Sequence, residues 1–224
     1  MSLPDSLTST TVAVLGGTGP QGRGLARRFA AAGLPVVIGS RSAERAGETA
    51  QTLADATGGR ITGADNSGAA EAGDIVVVAV PWDGHGDLLR DLAPVLAGKV
   101  VVDCVNPLGF DKQGPYPLSV PDGSACQEAA AVLPDSTVIG AFHNVSAVVL
   151  LDEAVASVDC DVLVLGEVRE ATDTVIALAS RIAGVRGIFG GRLRNAAQIE
   201  SLTANVIAIN RRYKTHASIS ITGL

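Results

Sequence analysis

Short apolar runs alternate with longer stretches of helical periodicity through the first two-thirds of the chain. Val12–Leu15 and Ile75–Val80 contain only apolar residues, which is typical of parallel strands that are covered on both faces. Between such runs, apolar residues recur at the spacing of an amphipathic helix, as at Leu25, Phe29 and Ala32. We therefore predict an α/β fold with a doubly wound parallel sheet.

The same pattern sets approximate bounds for the elements. The predicted strands are Val12–Leu15, Leu34–Ile38, Arg60–Gly63, Asp74–Val80, Val100–Val105, Thr137–Phe142, Val158–Leu165 and Val185–Phe189. The predicted helices follow Gly22, extend from an N-cap at Ser42 to about Thr57, and then cover Leu88–Leu96, Val145–Leu151, Glu167–Ala183 and Arg192–Tyr213. We expect a long loop over Pro107–Gly123 and an edge strand over Ser218–Ile221.

A glycine-rich stretch joins the first predicted strand to the first predicted helix. It contains Gly17, Thr18, Gly19, Pro20, Gln21 and Gly22. Strand, glycine turn and helix in this order predict a dinucleotide site of the Rossmann type. We expect Gly17 to make the tight turn, Gly19 to admit a pyrophosphate and Gly22 to pack the helix closely. Pro20 suits the first helical turn, whose free N–H groups attract phosphates.

The end of the second predicted strand indicates which dinucleotide binds. NAD-binding proteins place a carboxylate about 20 residues after the glycines, whereas this chain has Ser40 and Arg41 there, with Arg45 one helical turn later. A guanidinium matches a phosphate with two parallel hydrogen bonds. We therefore predict NADP(H) as the cofactor. The alternative is that both arginines are solvated surface charges.

Composition and charge exclude several other classes of protein. Hydrophobic residues make up 47% of the chain and charged residues 18%, which favours a folded domain over disorder. A net charge of −6 gives no reason to expect a nucleic-acid partner. The three cysteines are widely spaced without a C-x-x-C pair, so we expect a reduced compartment and no metal site. Because the first residues lack the pattern of a signal peptide and no apolar run is long enough for a bilayer, we predict a cytoplasmic protein without membrane contact.

Three later strand ends carry residues suited to ligand binding, because ligands of such sheets bind beyond the carboxyl ends of the strands. These residues are Val80-Pro81-Trp82, Asn106-Pro107 and His143-Asn144. Trp82 is suited to flank a ring system, and His143 to orient or protonate a substrate. The alternative for His143 is a purely structural hydrogen-bonding role.

In order and spacing, these motifs resemble the coenzyme F-420H2:NADP+ oxidoreductases. The resemblance rests on Thr18–Gly22, Gly39–Arg41, Val80–Trp82, Asn106–Pro107 and His143–Asn144, and it extends over almost the full length. Pro20 departs from the family, which often has Asn or Asp at that position. The resemblance implies reversible hydride transfer between reduced coenzyme F-420, an 8-hydroxy-5-deazaflavin, and NADP+. The hydride would pass directly between the two coenzymes, without a catalytic residue.

The resemblance also implies a role for individual residues. Those that would hold NADP(H) are Thr18, Gly19, Gln21, Ser40, Arg41 and Arg45. Val80, Pro81 and Asn106 would line the nicotinamide side, and His143 and Ala147 would contact the deazaflavin. The predicted cofactor site is completed by Gly17, Pro20, Gly22, Trp82, Pro107 and Asn144.

We expect the chain to divide into two parts. Residues 1–146 would form the NADP-binding Rossmann domain, and residues 147–224 a small C-terminal α/β domain that completes the deazaflavin cleft. The long last helix has two apolar faces, represented by Ile199 and Ile207, which predicts burial against a second subunit. The family is typically homodimeric, in agreement with this pattern.

Two other functions stay open on the residues alone. An NADPH-dependent reductase of a small imine or keto acid would share the Rossmann start and act without a deazaflavin. A non-catalytic NADP(H)-sensing module would bind the nucleotide without turnover. The absence of a Tyr-x-x-x-Lys pair in the sequence favours transfer between two coenzymes over carbonyl reduction, which needs an acid.

Overall fold

The architecture is one twisted sheet of eight strands with helices on both faces. The computed structural model describes residue 7 and residues 9–224. The strands are β1 (Val12–Leu15), β2 (Val36–Ser40), β3 (Ile61–Asp65), β4 (Ile75–Val78), β5 (Val100–Asp103), β6 (Leu108–Asp111), β7 (Gly114–Pro117), β8 (Thr137–Gly140), β9 (Cys160–Gly166) and β10 (Val185–Gly191). The helices are α1 (Pro20–Ala31), α2 (Ala43–Thr57), α3 (Asn66–Ala72), α4 (His85–Leu96), α5 (Ala125–Val132), α6 (Ala147–Leu151), α7 (Arg169–Ala179) and α8 (Ala196–Tyr213).

The strand order confirms the predicted doubly wound sheet. Its strands follow the order β10-β9-β8-β5-β4-β1-β2-β3. From β1 the sheet extends through β2 to β3 at one edge. The chain then returns to β4 on the other side of β1, and the sheet extends from there through β5, β8 and β9 to β10 at the opposite edge. The crevice above β1 and β4 is therefore the topological switch point, where ligands of such sheets bind.

Strand β9 reverses the direction of the sheet. It pairs antiparallel with β8 over two residue pairs only, Ile139 with Gly166 and Gly140 with Leu165. Because both pairs lie at the carboxyl ends of the two strands, the rest of β9 extends past the end of β8. Strand β10 pairs parallel with β9, so the two strands extend the sheet beyond β8 to its edge.

The core consists of two apolar layers, one on each face of the sheet. Val12 and Val14 point into the layer that holds Phe29 of α1, while Ala13 and Leu15 point into the layer that holds Leu89 of α4. All four residues of β1 are buried. The continuous apolar runs of the sequence are thus explained by burial on both faces.

Two helices, α3 and α5, were not predicted from the sequence. Helix α3 has seven residues, and the Asp65 carboxylate caps it by accepting a 2.7 Å hydrogen bond from the Gly68 N–H. Helix α5 begins at Ser124, whose hydroxyl accepts a 3.1 Å hydrogen bond from the Gln127 N–H. Both helices depend more on their N-caps than on apolar periodicity.

The stretch predicted as a long loop contains a hairpin. Strands β6 and β7 pair antiparallel between Leu108 and Pro117. The Asp111 carboxylate accepts hydrogen bonds from Gln113 and Gly114 at the turn, and Gly114 has φ 124°, a conformation that favours glycine. The prediction of an unstructured loop over Pro107–Gly123 was wrong for this part.

The prediction of an edge strand over Ser218–Ile221 was wrong. The tail lies on β9 as an irregular strap, and the Ile219 carbonyl accepts a 2.8 Å hydrogen bond from the Asp161 N–H. Arg186 of β10 donates to both carboxylate oxygens of Asp161, at 2.7 and 2.8 Å, and to the Ile221 carbonyl at 2.9 Å. One backbone hydrogen bond and the side chains of Asp161 and Arg186 therefore hold the tail in place of a strand ladder.

Helix α6 is attached to the first half of the chain through α1. Arg28 is buried and donates hydrogen bonds of 2.8 Å to the carbonyls of Leu150 and Val149. A Cβ at Gly24 would lie 2.6 Å from Leu150 Cβ, so the two helices pack at the distance that only glycine allows. Within the described residues, no helix has the length and apolarity to cross a membrane.

Candidate functional site

The glycine turn after β1 is shaped by three glycines, Gly16, Gly17 and Gly22. Gly16 has φ 71°, so it is Gly16, and not Gly17, that adopts the left-handed conformation of the tight turn. A Cβ on Gly17 would lie 2.7 Å from Ile38 Cγ2, and one on Gly22 would lie 2.6 Å from the Gly16 carbonyl oxygen. Gly22 therefore has the predicted role of packing helix and turn, whereas Gly16 was missed.

The N-terminus of α1 faces a cavity of about 680 Å³. Gly19 is the N-cap and supplies no side-chain cap, and Pro20 follows it without an N–H. The first N–H groups of the helix are thus free to bind an anion, which the helix dipole also favours. Predicted cofactor residues in the cavity wall are Thr18, Gly19, Pro20, Gln21, Ser40, Arg41, Arg45, Val80 and Pro81.

Ser40, Arg41 and Arg45 lie together at one end of this cavity. Ser40 is buried at the end of β2, whereas both arginines are exposed. Across the described part of the chain, no carboxylate forms an ion pair with either guanidinium. Both cations are therefore available to a phosphate on the ribose.

A second cavity, of about 420 Å³, adjoins the first. The two share Gln21, Ala79, Val80 and Pro81 in their walls. The second cavity also brings together the predicted residues Trp82, Asn106, His143, Asn144 and Ala147. Gly17, Gly22 and Pro107 line neither cavity; they are buried beneath the surface of the site.

Thr203 of α8 connects the strand-end residues of the second cavity. Its hydroxyl donates toward the His143 carbonyl at 3.1 Å and Asn106 Oδ1 at 3.2 Å, and it accepts a 2.8 Å hydrogen bond from the Asn144 amide. Asn106 in turn donates to the His143 carbonyl at 2.9 Å. One side chain from the last helix thus fixes residues from two strand ends.

His143 is a neutral side chain at physiological pH. Burial lowers its pKa to about 4, although the charge of Asp103 opposes this shift. Its Nε2 lies 3.6 Å from Cys126 Sγ, and its Nδ1 has no hydrogen-bond partner among the described residues. An imidazole of this kind can orient a ligand, but it holds no proton to donate as an imidazolium.

Cys126, His143 and Glu200 form a buried cluster behind the second cavity. Their potential metal-ligating atoms lie within 4.8 Å of one another. Both Glu200 oxygens already accept backbone hydrogen bonds, from Ala125 at 2.9 Å and Cys126 at 3.1 Å. Burial also raises the pKa of the Cys126 thiol well above its usual value, whereas metal binding requires the thiolate. We interpret the cluster as a cap that attaches α8 to the start of α5.

Comparisons of the sequence with known proteins agree with one another. The family model for NADP oxidoreductase, coenzyme F-420-dependent, matches residues 11–107. The F-420-dependent NADP reductase of Methanothermobacter marburgensis is 40% identical over 95% of this chain and 98% of its own length. That of Methanocaldococcus jannaschii is 39% identical over the same shares.

The chain belongs to the coenzyme F-420-dependent NADP oxidoreductases. A solved structure from Arthrobacter sp. FB24, described as a candidate F-420-dependent NADP-reductase, is also similar to this reductase. It has a TM-score of 0.81 at 25% identity and covers 96% of this chain and 100% of that one.

Several residues of the reductase site were not predicted. Thr203 lies 97 residues after Asn106, which it contacts, and its position on an apolar helix face gave no sign of a polar contact. Cys104 and Val105 line the second cavity, but their sequence context indicated only a buried strand. His85 lies before the predicted helix Leu88–Leu96 and was not considered from the sequence.

Proposed function

We propose that this reductase transfers a hydride reversibly between reduced coenzyme F-420 and NADP+ across the wall shared by the two cavities. The observation that carries this assignment is the absence of charge in the second cavity. Asp, Glu, Lys and Arg do not occur among its lining residues in the described chain, and His143 is neutral. Such a cavity suits transfer of a hydride between flat rings, because the hydride passes directly from one ring to the other. The proton that reduced coenzyme F-420 releases on oxidation, and takes up in the reverse direction, would be exchanged with water.

The first cavity supplies the residues for NADP(H). We assign the phosphates to the backbone around Thr18 and Gly19 and to the free N–H groups at the start of α1. Ser40, Arg41 and Arg45 would bind the 2′-phosphate, since both guanidinium groups lack a carboxylate partner. The bound coenzymes themselves supply the hydride donor and acceptor.

The second cavity supplies the residues that place the rings. Val80 and Pro81 belong to both walls, so we assign them, with Asn106, to the nicotinamide side. His143 and Ala147 would contact the deazaflavin, with Trp82 and Asn144 completing the wall. We keep the division into residues 1–146 and 147–224 as a proposal: the second part contributes Ala147 and α8, while β9 and β10 extend the common sheet.

Mixing the protein with reduced coenzyme F-420 and NADP+ tests the assignment. We expect reoxidation of the deazaflavin, measured by its absorbance, and the reverse reaction with NADPH. An imine or keto-acid reductase would consume NADPH with those substrates and ignore the deazaflavin, and a sensor would bind NADP+ without turnover. Folded protein that reacts in neither direction would contradict the proposal.

Replacing Thr203 with valine is expected to lower kcat about tenfold, with little change in the Michaelis constant for NADP+. The substitution keeps the volume but leaves the His143 carbonyl and the Asn144 amide without their shared hydroxyl, so the ring-binding wall loosens. Thr203→Ser retains the hydroxyl and serves as the control. Equal rates in the valine and serine variants would show that the hydrogen bonds do not matter.

A homodimer is the assembly that the surface supports. Helix α8, which exposes Ile209 and Tyr213, packs against β7 of the hairpin, and the hairpin exposes Phe110 and Tyr116. Exposed apolar side chains on neighbouring elements are typical of a protein interface. The cytoplasmic location and the absence of a nucleic-acid partner stay predictions.

An aspartate in place of Ile209 is expected to convert the dimer to a monomer, because it puts a charge in the centre of the proposed interface. Light scattering after size-exclusion chromatography measures the mass. Val168→Asp, at an exposed apolar position on another element, is the matched control and should leave the mass unchanged. A wild-type protein that is already monomeric would contradict the dimer.

A further inference from the structure

A buried histidine lies directly beneath the tryptophan of the second cavity. His85 is the first residue of α4 and has no exposed surface. Its Nε2 lies 2.6 Å from Asp103 Oδ2, and its Nδ1 lies 3.2 Å from Glu128 Oε1. The Asp103 side chain is fully buried and that of Glu128 is 15% exposed. No residue of this triad was among the predicted site residues.

The geometry fits a doubly protonated ring. An ionised carboxylate only accepts hydrogen bonds, so each ring nitrogen that faces one needs its own hydrogen. An imidazolium also balances the negative charge of the buried Asp103, which would be costly without a partner. His85, Asp103 and Glu128 therefore form an ionised triad at the centre of the fold.

The triad supports two parts of the cavity wall. The Trp82 and His85 rings have centroids 5.5 Å apart and an interplanar angle of 31°, within the range of a cation–π contact. On the other side, the second oxygen of Asp103 accepts a 2.9 Å hydrogen bond from the Val105 N–H. This bond shapes the turn that carries Cys104, Val105 and Asn106 into the second cavity.

We propose that His85 is a positioning residue for hydride transfer: as an imidazolium between Asp103 and Glu128, it holds Trp82 and the turn 103–106 in the arrangement that orients the ring of the bound nicotinamide. His85 itself does not line the second cavity and acts through its neighbours. The inference rests on the proposed function for its kinetic consequence, but the contact with Trp82 is testable without turnover.

The surroundings of His85 favour the charged form. Burial lowers the pKa of His85, but the hydrogen bonds and charges of Asp103 and Glu128 outweigh it and raise the pKa above the usual 6.5. The other charged groups near the Trp82 side are Asp83, Asp87 and Arg90, while Cys126, His143 and Glu200 lie behind Asp103 and feel its charge.

The raised pKa also fixes how stability depends on pH. The contribution of the triad is fully present below about pH 6.5, the pKa of an unperturbed histidine. It is lost as the pH rises through the elevated pKa of His85, because the folded state then gives up a proton that stabilised it. The ring contact with Trp82 should weaken over the same interval.

Fluorescence of the ligand-free protein tests the contact directly. Trp82 is the only tryptophan in the chain, and an imidazolium quenches the indole ring that it contacts. We expect the emission to rise with pH through a midpoint above 6.5, and this rise to be absent in His85→Gln. In Glu128→Gln, which keeps the histidine and removes one carboxylate, the midpoint should shift to lower pH. A wild-type emission that stays constant between pH 5 and 9 would overturn the proposal, as would an unshifted midpoint in Glu128→Gln.

Kinetics test the consequence for the reaction. In His85→Gln we expect the rate of hydride transfer to fall about 10- to 100-fold, with less than about a threefold change in the Michaelis constant for NADP+, whose phosphate site lies in the other cavity. We also expect the wild-type rate to fall as the pH rises through the pKa of His85, and this fall to be absent in His85→Gln. Asp91→Asn, an exposed change on the same helix, should alter none of these quantities. An unchanged rate in His85→Gln would overturn the positioning role.

Failure of the proposed function and failure of the positioning role would give different results. If the proposed function is wrong, the wild-type protein shows no turnover with coenzyme F-420, while the fluorescence titration and its loss in His85→Gln persist. If the positioning role is wrong, the wild type turns over and His85→Gln does so at the same rate and with the same pH profile. Circular dichroism of each variant establishes that it is folded.

Discussion

Replacing Arg41 with alanine will raise the Michaelis constant for NADP+ about 10- to 100-fold and leave that for NAD+ nearly unchanged. The structure places Arg41 at the end of the first cavity, exposed and without a carboxylate partner. A charge-assisted hydrogen bond contributes about 1.5–3 kcal/mol, and each 1.4 kcal/mol corresponds to about a tenfold change in affinity. Only the cofactor with a 2′-phosphate should lose this contribution.

The design of the experiment separates a phosphate contact from a general effect of charge. Steady-state kinetics with both cofactors give the ratio of their Michaelis constants. Arg60→Ala removes an exposed arginine at the amino end of β3, away from the carboxyl ends that form the site, and should preserve the ratio. Arg41→Ala together with Arg45→Ala should lower the preference for NADP+ further. Parallel losses for NADP+ and NAD+ would mean that Arg41 does not recognise the phosphate.

An alanine at Gly22 will disrupt dinucleotide binding and destabilise the fold. The added Cβ would lie 2.6 Å from the Gly16 carbonyl oxygen and 2.7 Å from Gly17 Cα. Because both contacts are with backbone, the turn itself has to move, at a cost of about 1–3 kcal/mol for an overpacked site. We expect a lower Tm and an affinity for NADP+ reduced about 100-fold, since the phosphate-binding N–H groups shift with the turn.

Alanine at Gly47 provides a control in which the stability should change in the opposite direction. Gly47 lies inside α2, and a Cβ there would meet no atom within 4 Å. Alanine should therefore stabilise the helix by about 0.5–1 kcal/mol. Thermal unfolding and NADP+ titration of both variants decide the matter, and a Gly22→Ala protein that binds NADP+ like Gly47→Ala would refute the packing role of the turn.

The strands of the central sheet could be predicted because burial on both faces leaves continuous apolar runs, as in β1 and β4. Helix α3 could not be predicted, because its sequence has little apolar periodicity and the helix depends on its cap at Asp65. Helix α5 carried a usable signal, because Ser124 and Gln127 have the spacing of a capping box. The hairpin β6–β7 was not predicted, because Pro115 and Pro117 argue against a strand. They are tolerated there because the pair lies outside the main sheet.

The residues of the candidate site also include some that could be predicted and some that could not. The common position of Val80, Asn106 and His143 in one cavity wall was predictable, because parallel strands bring their carboxyl ends to one edge. His85 and Thr203 were not, because each reaches the site through packing of a helix against the sheet. The sequence identified the turn but assigned its left-handed residue to Gly17, since either glycine fits the pattern and only the φ of Gly16 distinguishes them.

The uncharged lining of the second cavity makes the two halves of the cleft respond differently to salt. Exposed guanidinium groups attract a phosphate over a distance comparable to the Debye length, about 8 Å at physiological ionic strength, and added salt screens them. The wall around Val80, His143 and Ala147 has no such charge to screen, and apolar contacts do not weaken with ionic strength. If the proposed assignment of the two cavities holds, added salt should weaken the binding of NADP(H) at Arg41 and Arg45 and leave the binding of the rings in the second cavity unchanged.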